Sequence, residues 1–191
     1  MPELHLETER LLLRPQTADD IAGIVVLLND YDIARNLANV PHPYTEADAQ
    51  GFLGRWNAER ASGAAYPFLV TRKPDHRPIG GCGLRRGERG VYELGYWLGK
   101  PYWGQGYASE AARRVAGFAF RELDVPVVKA SYFHDNPASG RVLAKLGAVP
   151  AGVEHHDCLA RGHAVYSHAV MLDRENFGRT SSGPVKLGMN R

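Results

Sequence analysis

Between Val91 and Leu123 an apolar strand, a turn with two glycines and an amphipathic helix follow one another without interruption, and this succession constrains the fold more than any other feature of the chain. The strand reads as Val91–Leu98. The turn and helix start are Tyr102-Trp103-Gly104-Gln105-Gly106-Tyr107-Ala108-Ser109-Glu110-Ala111, and Ala108, Ala111, Ala112, Val115, Phe118, Ala119 and Leu123 then recur at helical spacing. Glycines let the backbone turn sharply and bring its N–H groups close to a ligand. The helix that follows adds unpaired donors and the positive end of its dipole. The backbone of Gly104 to Ser109 is therefore a candidate phosphate seat. A Rossmann dinucleotide site fits less well. Ser109 stands where a third glycine is needed, no βαβ unit opens the chain, and about 20 residues on come Val125, Pro126 and Val127 rather than an acidic ribose ligand.

The remaining pattern is that of a mixed α/β chain. A strand at Arg10–Arg14 leads to a helix for which Thr17 and Asp20 suit the cap and first turn, with Ile21, Ile24, Val25 and Leu28 on one face. A second helix begins at Thr45 and carries a stripe of Ala49, Phe52, Leu53 and Trp56. Strands are expected near Tyr66–Thr71, Pro78–Arg85 and Val91–Leu98, then at Val127–Phe133 after the long helix, followed by a short helix and two closing strands. This order predicts a mostly antiparallel sheet flanked by helices, in which one crossover helix joins two parallel neighbours.

At 191 residues the chain can bury the core of one domain without disulfides or metals. We expect that domain at residues 1–178 and a mobile tail at 179–191, where no apolar period is sustained. A net charge of +2 describes an ordinary soluble surface, and no basic and aromatic stripe argues for nucleic acid. Cys82 and Cys158 lack a CxxC partner, and no histidine sits at metal-ligand spacing, so no metal is expected. No run approaches the roughly 18 apolar residues of a membrane span, and the first residues lack the order of a signal peptide. The expected setting is the cytoplasm, away from membranes.

Several stretches together resemble one family. Leu6-Glu-Thr-Glu-Arg-Leu-Leu-Leu-Arg14, Pro41-His-Pro-Tyr-Thr-Glu-Ala-Asp48, Glu93-Leu-Gly-Tyr-Trp-Leu98, the glycine turn with Ser109-Glu110-Ala111, and Asn136-Pro-Ala-Ser139-Gly-Arg-Val-Leu-Ala-Lys-Leu-Gly147 closely resemble the GCN5-related N-acetyltransferase (GNAT) superfamily. The nearer likeness is to its ribosomal-protein N-acetyltransferase (RimJ/RimL-like) branch, and it runs to the apolar strand ending near Leu172. The phosphate loop is similar to the family's Arg/Gln-x-x-Gly-x-Gly/Ala, with Gly106 and Ala108 in place and Trp103 at the first position, as is frequent in this branch.

The resemblance implies an acetyl-coenzyme A-dependent N-acetyltransferase that passes the acetyl group directly to a primary amine. The acceptor would be a protein N-terminus or a small molecule, and a homodimer is left open. It implies that the strands at Val91–Leu98 and Val127–Phe133 splay apart, with pantetheine against Gly95, Tyr96, Trp97 and Leu98 and pyrophosphate against Trp103, Gly104, Gln105, Gly106, Tyr107, Ala108 and Ser109. Glu93 is the implied base, and a solvated carboxylate paired with Arg85 or Arg86 is the competing reading. A bulge in that strand would free the N–H of Gly95 or Tyr96 for the thioester carbonyl. Asn136 is implied to meet pantetheine and Ser139 the sulfur, although Asn136, Pro137 and Gly147 also suit a capped helix with Val142, Leu143 and Leu146 buried. Many relatives carry an acidic tyrosine at the position of Leu143. The acceptor pocket should be walled by Tyr31–Thr45 and the hairpin near Asp157–His163. A non-catalytic acyl-coenzyme A sensor or scaffold is the alternative.

Overall fold

The computed structural model describes residues 4–87 and 90–181, so the expected tail lies outside the described residues from 182 onward. The elements are β1 (Leu6–Glu7), β2 (Leu11–Arg14), α1 (Ile21–Leu28), α2 (Tyr31–Ala34), α3 (Glu46–Ala61), β3 (Ala65–Arg72), β4 (Pro78–Arg86), β5 (Tyr92–Leu98), α4 (Tyr107–Arg121), β6 (Val127–Phe133), α5 (Pro137–Leu146), β7 (Val149–Cys158), β8 (His163–Asp173) and α6 (Arg174–Ser181). Local chemistry sets several of these starts. Thr45 caps α3 in a reciprocal box with Asp48, whose carboxylate takes the Thr45 N–H at 2.8 Å. Asn136 caps α5, its Oδ1 accepting from Ser139 N at 3.2 Å, and Gly147 closes that helix at φ 96°.

The eight strands of the described residues form one sheet in the order β1-β2-β3-β4-β5-β6-β8-β7. Every pairing is antiparallel except β5 with β6, which the α4 crossover makes parallel, as the strand–turn–helix succession predicts. That one parallel ladder is short. It pairs Tyr92 with Val128 and Glu93 with Lys129, and beyond these residues the two strands separate.

Two cores lie on opposite faces of the sheet. On one face α4 and α5 pack Ala112, Val115, Ala116, Leu143 and Leu146 against Tyr92, Leu94, Leu98, Val128 and Ala130. On the other, Ile24, Leu28, Ile33, Tyr44 and Ala49 of the first three helices and their connection cover Leu69, with Trp97 packed against them. The two-residue alternation of β5 assigns its side chains accordingly, with Tyr92, Leu94, Tyr96 and Leu98 on the α4–α5 side and Glu93, Gly95 and Trp97 on the α1–α3 side. Gly81 gives the Trp97 indole room, because a Cβ there would stand 2.6 Å from its Nε1. Leu143 is only 2% exposed, so Leu143→Ala should cost about 2–5 kcal/mol in a urea unfolding titration, through lost burial and the cavity it leaves.

Candidate active site

Where β5 and β6 part, a cleft of about 780 Å³ opens, and thirteen of the fourteen residues singled out in the sequence line it. They are Glu93, Gly95, Tyr96, Trp97, Leu98, Trp103, Gly104, Gly106, Tyr107, Ala108, Ser109, Asn136 and Ser139. The exception is Gln105. Its Nε2 donates to Pro101 O at 2.9 Å and its carbonyl accepts from Arg10 Nη1 at 3.1 Å, so the side chain braces the turn from outside.

At one end of the cleft the glycine turn has the backbone it requires, with Gly104 at φ 74° and Gly106 at φ 82°. Gly106 is the N-cap of α4 and has no side chain to place over the first turn, so the N–H groups of Tyr107, Ala108 and Ser109 are left for a ligand. A serine or aspartate cap would consume one of these donors. The space above Gly104 is open, with no atom within 4 Å of where a Cβ would be. Trp103 folds back so that its Nε1 donates to Leu98 O at 2.8 Å, tying the turn to the end of β5. Behind the turn lies a clasp that the sequence did not reveal. Glu110 accepts from Thr8 Oγ1 at 2.6 Å, Arg10 N at 3.0 Å and Arg10 Nε at 2.7 Å, and the Arg10 guanidinium stands 4.4 Å from the Tyr107 ring centroid. Burial alone would raise the Glu110 pKa, but these hydrogen bonds outweigh it and hold the carboxyl below its ordinary value.

At the middle of the cleft the two faces of the sheet meet. Glu93 lies on the α1–α3 side. Its register neighbours are Arg85 on β4 and Lys129 on β6, and its Oε1 is 3.5 Å from Lys129 Nζ. The ion-pair partner is therefore Lys129, whereas Arg85 is engaged by Glu59 at 2.8 Å. Lys129 also donates to Glu154 at 2.6 Å, and Glu154 meets His156 Nε2 at 3.2 Å. Hydrogen bonding to Glu154, with help from both carboxylates, raises the Lys129 pKa, so the ammonium is a permanent member of the ribbon. Ser139 lies on the opposite, α4–α5 side, with its Oγ 2.8 Å from the Tyr96 hydroxyl. A carboxylate and a hydroxyl thus face the gap from opposite faces of one sheet. A ligand held between β5 and β6 can meet both.

The expected bulge in β5 is absent. The β4–β5 register runs without a shift from Gly80↔Leu98 to Arg86↔Tyr92, and the irregularities lie in β3–β4 and β7–β8 instead. Unpaired donors near Gly95 and Tyr96 arise from the separation of β5 and β6, which needs no inserted residue. At the far end Asp32, Ile33, Asn36, Leu37 and Tyr44 line the cleft as expected. The hairpin at Asp157–His163 backs this wall, since Arg161 Nε donates to Arg35 O at 2.7 Å and Leu159 N to Ala38 O at 3.0 Å. His156 and Ser167 line the cleft in its place, and Ser167 Oγ is buried without a hydrogen-bond partner. Among the cations near the turn and α5, Arg141 and Lys145 line the cleft, while Arg113 donates to Lys145 O at 2.7 Å and Arg114 reaches Glu122. Cys82 and Cys158 are free and buried. Among the described residues no cluster of three metal-ligating side chains occurs, and no helix is long and apolar enough to cross a membrane.

Asp135 joins the wall to the rest. It receives Arg35 of the α2 connection at 2.8 Å and Arg161 of the hairpin at 2.9 and 3.0 Å, one residue before the Asn136 cap. Arg161 foremost, then Arg35, lowers its pKa to about 2. A depressed carboxylate pKa contributes stability above the unfolded value and loses it as pH falls through the folded one. Asp135→Asn should therefore lower stability by about 1 kcal/mol at pH 7, after allowance for solvent screening. In melting curves recorded against pH, the difference from the parent protein should vanish between about pH 4 and about pH 2.

The family model for the acetyltransferase (GNAT) domain matches residues 10–149. The chain is 28% identical to the uncharacterized N-acetyltransferase p20 of Bacillus licheniformis, over 91% of this chain and 98% of that protein. It is 27% identical to the [ribosomal protein uS5]-alanine N-acetyltransferase of Escherichia coli, over 77% of this chain and 79% of that one. Among solved structures it is similar to Mycobacterium smegmatis RimJ in complex with CoA-disulfide, with a TM-score of 0.76 at 18% identity, covering 91% of this chain and 87% of that chain.

Proposed function

The chain belongs to the acetyltransferase (GNAT) domain family and is an N-acetyltransferase, and from that premise we propose that it carries an acetyl group from acetyl-coenzyme A directly to a primary amine. The observation that carries this reading is the separation of β5 from β6 after two residue pairs, beside a helix N-terminus capped only by glycine. The residues present fit the proposed donor. The edge of β5 that β6 leaves without a ladder, along Gly95 to Leu98, suits the amides of pantetheine, and the N–H groups from Gly104 to Ser109 at the glycine-capped helix start suit a pyrophosphate. Asn136 and Ser139 border the same channel.

Acetyl transfer needs a neutral amine, a polarised thioester carbonyl and help for the departing sulfur. Glu93, flanked by Arg85 and Lys129 on the α1–α3 face, is assigned to take a proton from the acceptor ammonium, which frees the nitrogen lone pair. The neutral amine nitrogen then forms the new bond to the acetyl carbon and releases its second surplus proton to water as the amide forms. An N–H of Gly95 or Tyr96 supports the charge developing on the carbonyl oxygen, and the C–S bond gives its electron pair to sulfur. Ser139 is assigned to hold that charge with its O–H. An ordinary serine hydroxyl is far less acidic than a thiol of pKa about 8.5, so it donates a hydrogen bond and keeps its proton. Leu143, buried in the α4–α5 core, has no part in this chemistry.

The acceptor enters from the α1–α3 side, where Glu93 and Glu154 offer carboxylates to a cationic amine. We assign it to the class of protein N-terminal α-amines or small primary amines. Coenzyme A thiol release, followed across panels of N-terminal peptides and small amines, tests the proposal. Release that accelerates with an acceptor supports it, and cofactor binding with no amine-dependent release from any acceptor makes the chain a sensor. Gly106→Val should leave a folded protein and weaken acetyl-coenzyme A binding by roughly two orders of magnitude in calorimetry, because a β-branched residue resists φ 82° and covers the phosphate seat. Glu93→Gln should preserve that affinity and lower turnover by roughly 10²-fold, most severely at low pH where neutral amine is scarce. A pH–rate profile parallel to the parent's would remove Glu93 from the mechanism.

A further inference from the structure

Tyr96 has a tie to the proposed reaction that its backbone alone does not explain. Its side chain crosses from β5 to the first turn of α5 and makes two contacts there, both with Ser139. The phenolic oxygen is 2.8 Å from Ser139 Oγ and 3.0 Å from the Ser139 carbonyl oxygen. A phenol has one proton to donate, and so does a serine hydroxyl. Only two arrangements satisfy the pair. In the first, Tyr96 donates to the carbonyl and Ser139 donates to the phenolic oxygen, so the serine proton is occupied. In the second, Tyr96 donates to Ser139 Oγ, and the serine proton is free to point into the cleft.

We infer that Tyr96 is a positioning residue for the leaving group, its hydroxyl donating to Ser139 Oγ so that the Ser139 O–H is aimed at the departing sulfur. The inference rests on the proposed leaving-group role of Ser139. No proton changes owner in this step. As the C–S bond breaks, its electron pair goes to sulfur, the serine O–H turns toward that charge, and the phenol O–H turns from the carbonyl to Oγ. The Ser139 carbonyl retains the hydrogen bond that its place in α5 provides. Charge on sulfur makes Ser139 Oγ a better acceptor, so the phenol's bond strengthens as the transition state forms. Such an interaction contributes to kcat more than to ground-state affinity. Burial pushes the phenol pKa well above its ordinary value, so Tyr96 remains a donor over any working pH. Phenylalanine supplies the same ring without the donor, which leaves the packing beside the α4–α5 core in place.

A double-mutant cycle tests the inference. Tyr96→Phe, Ser139→Ala and the double variant are compared in turnover per coenzyme A-binding site, with site number and acetyl-coenzyme A affinity taken from calorimetry so that a loss of folded fraction does not register. Tyr96→Phe should lower kcat by about tenfold, the worth of one hydrogen bond, and change affinity by less than about twofold. The double variant should be no slower than Ser139→Ala, because the phenol acts only through the serine. If the tyrosine penalty persists undiminished in the Ser139→Ala background, Tyr96 does not act through Ser139 and the inference is overturned while the leaving-group role of Ser139 stands. If Ser139→Ala turns over normally, that role fails and takes the inference with it. A rise in Kd with unchanged kcat would make Tyr96 a binding residue and overturn the inference as well.

Discussion

Two residue pairs of parallel ladder, Tyr92↔Val128 and Glu93↔Lys129, are the whole ladder between the two halves of the sheet among the described residues, and the rest of the molecule is arranged around that short seam. Strands that separate leave backbone donors and acceptors without partners, which a buried interior does not tolerate. The opening persists because it borders a cleft, and because the halves are held together by other means. The α4 crossover and α5 span both halves through one continuous core that contains Leu94 of β5 and Ala130 of β6. Packing thus substitutes for the missing ladder, and the unpaired backbone is left available to a ligand.

A sheet normally isolates its two faces, and here the gap connects them. Parity along β5 assigns Glu93, Gly95 and Trp97 to one face and Tyr96 to the other, where it meets Ser139. In the proposed reaction, a carboxylate for the incoming amine and a hydroxyl for the outgoing sulfur would approach one thioester from opposite sides without competing for the same space. The charges on the α1–α3 face are also ordered. Glu59, Arg85, Glu93, Lys129 and Glu154 alternate in sign across α3, β4, β5, β6 and β7. Each cation is flanked by acids, so charges of opposite sign stand next to one another on this face and none is gathered with its own kind.

Most of the scaffold was legible because its signals are local. The glycine turn, the helix start at Thr45, the Asn136 cap and the strand of Val127–Phe133 each lie within a few residues, and all appear in the structure where the pattern indicated. What escaped detection joins residues distant in sequence. Glu93 pairs with Lys129 rather than Arg85, because Arg85 is captured by Glu59 26 residues earlier. The Tyr96–Ser139 contact spans 43 positions and the Arg10–Glu110 clasp 100, so neither leaves a periodic trace. The bulge was a different kind of error. No shift interrupts the β4–β5 register, and β5 instead diverges from β6, which is a property of the sheet and not of β5 alone.

The two ends of the cleft are built on different principles, and this difference explains why the donor was easier to infer than the acceptor. The phosphate turn is backbone: glycine dihedrals, a helix terminus, and a half-buried carboxylate that binds β1–β2 to α4 through Thr8 and Arg10. Backbone recognition restricts which residues can stand there, and the restriction is written in the sequence as glycines. The proposed acceptor wall is side chain: a short α2 and its connection, held to the hairpin and to the Asn136 cap by Asp135 with Arg35 and Arg161. Any residues of suitable size and charge can form such a wall, so its identity constrains the fold little and the pattern hardly at all.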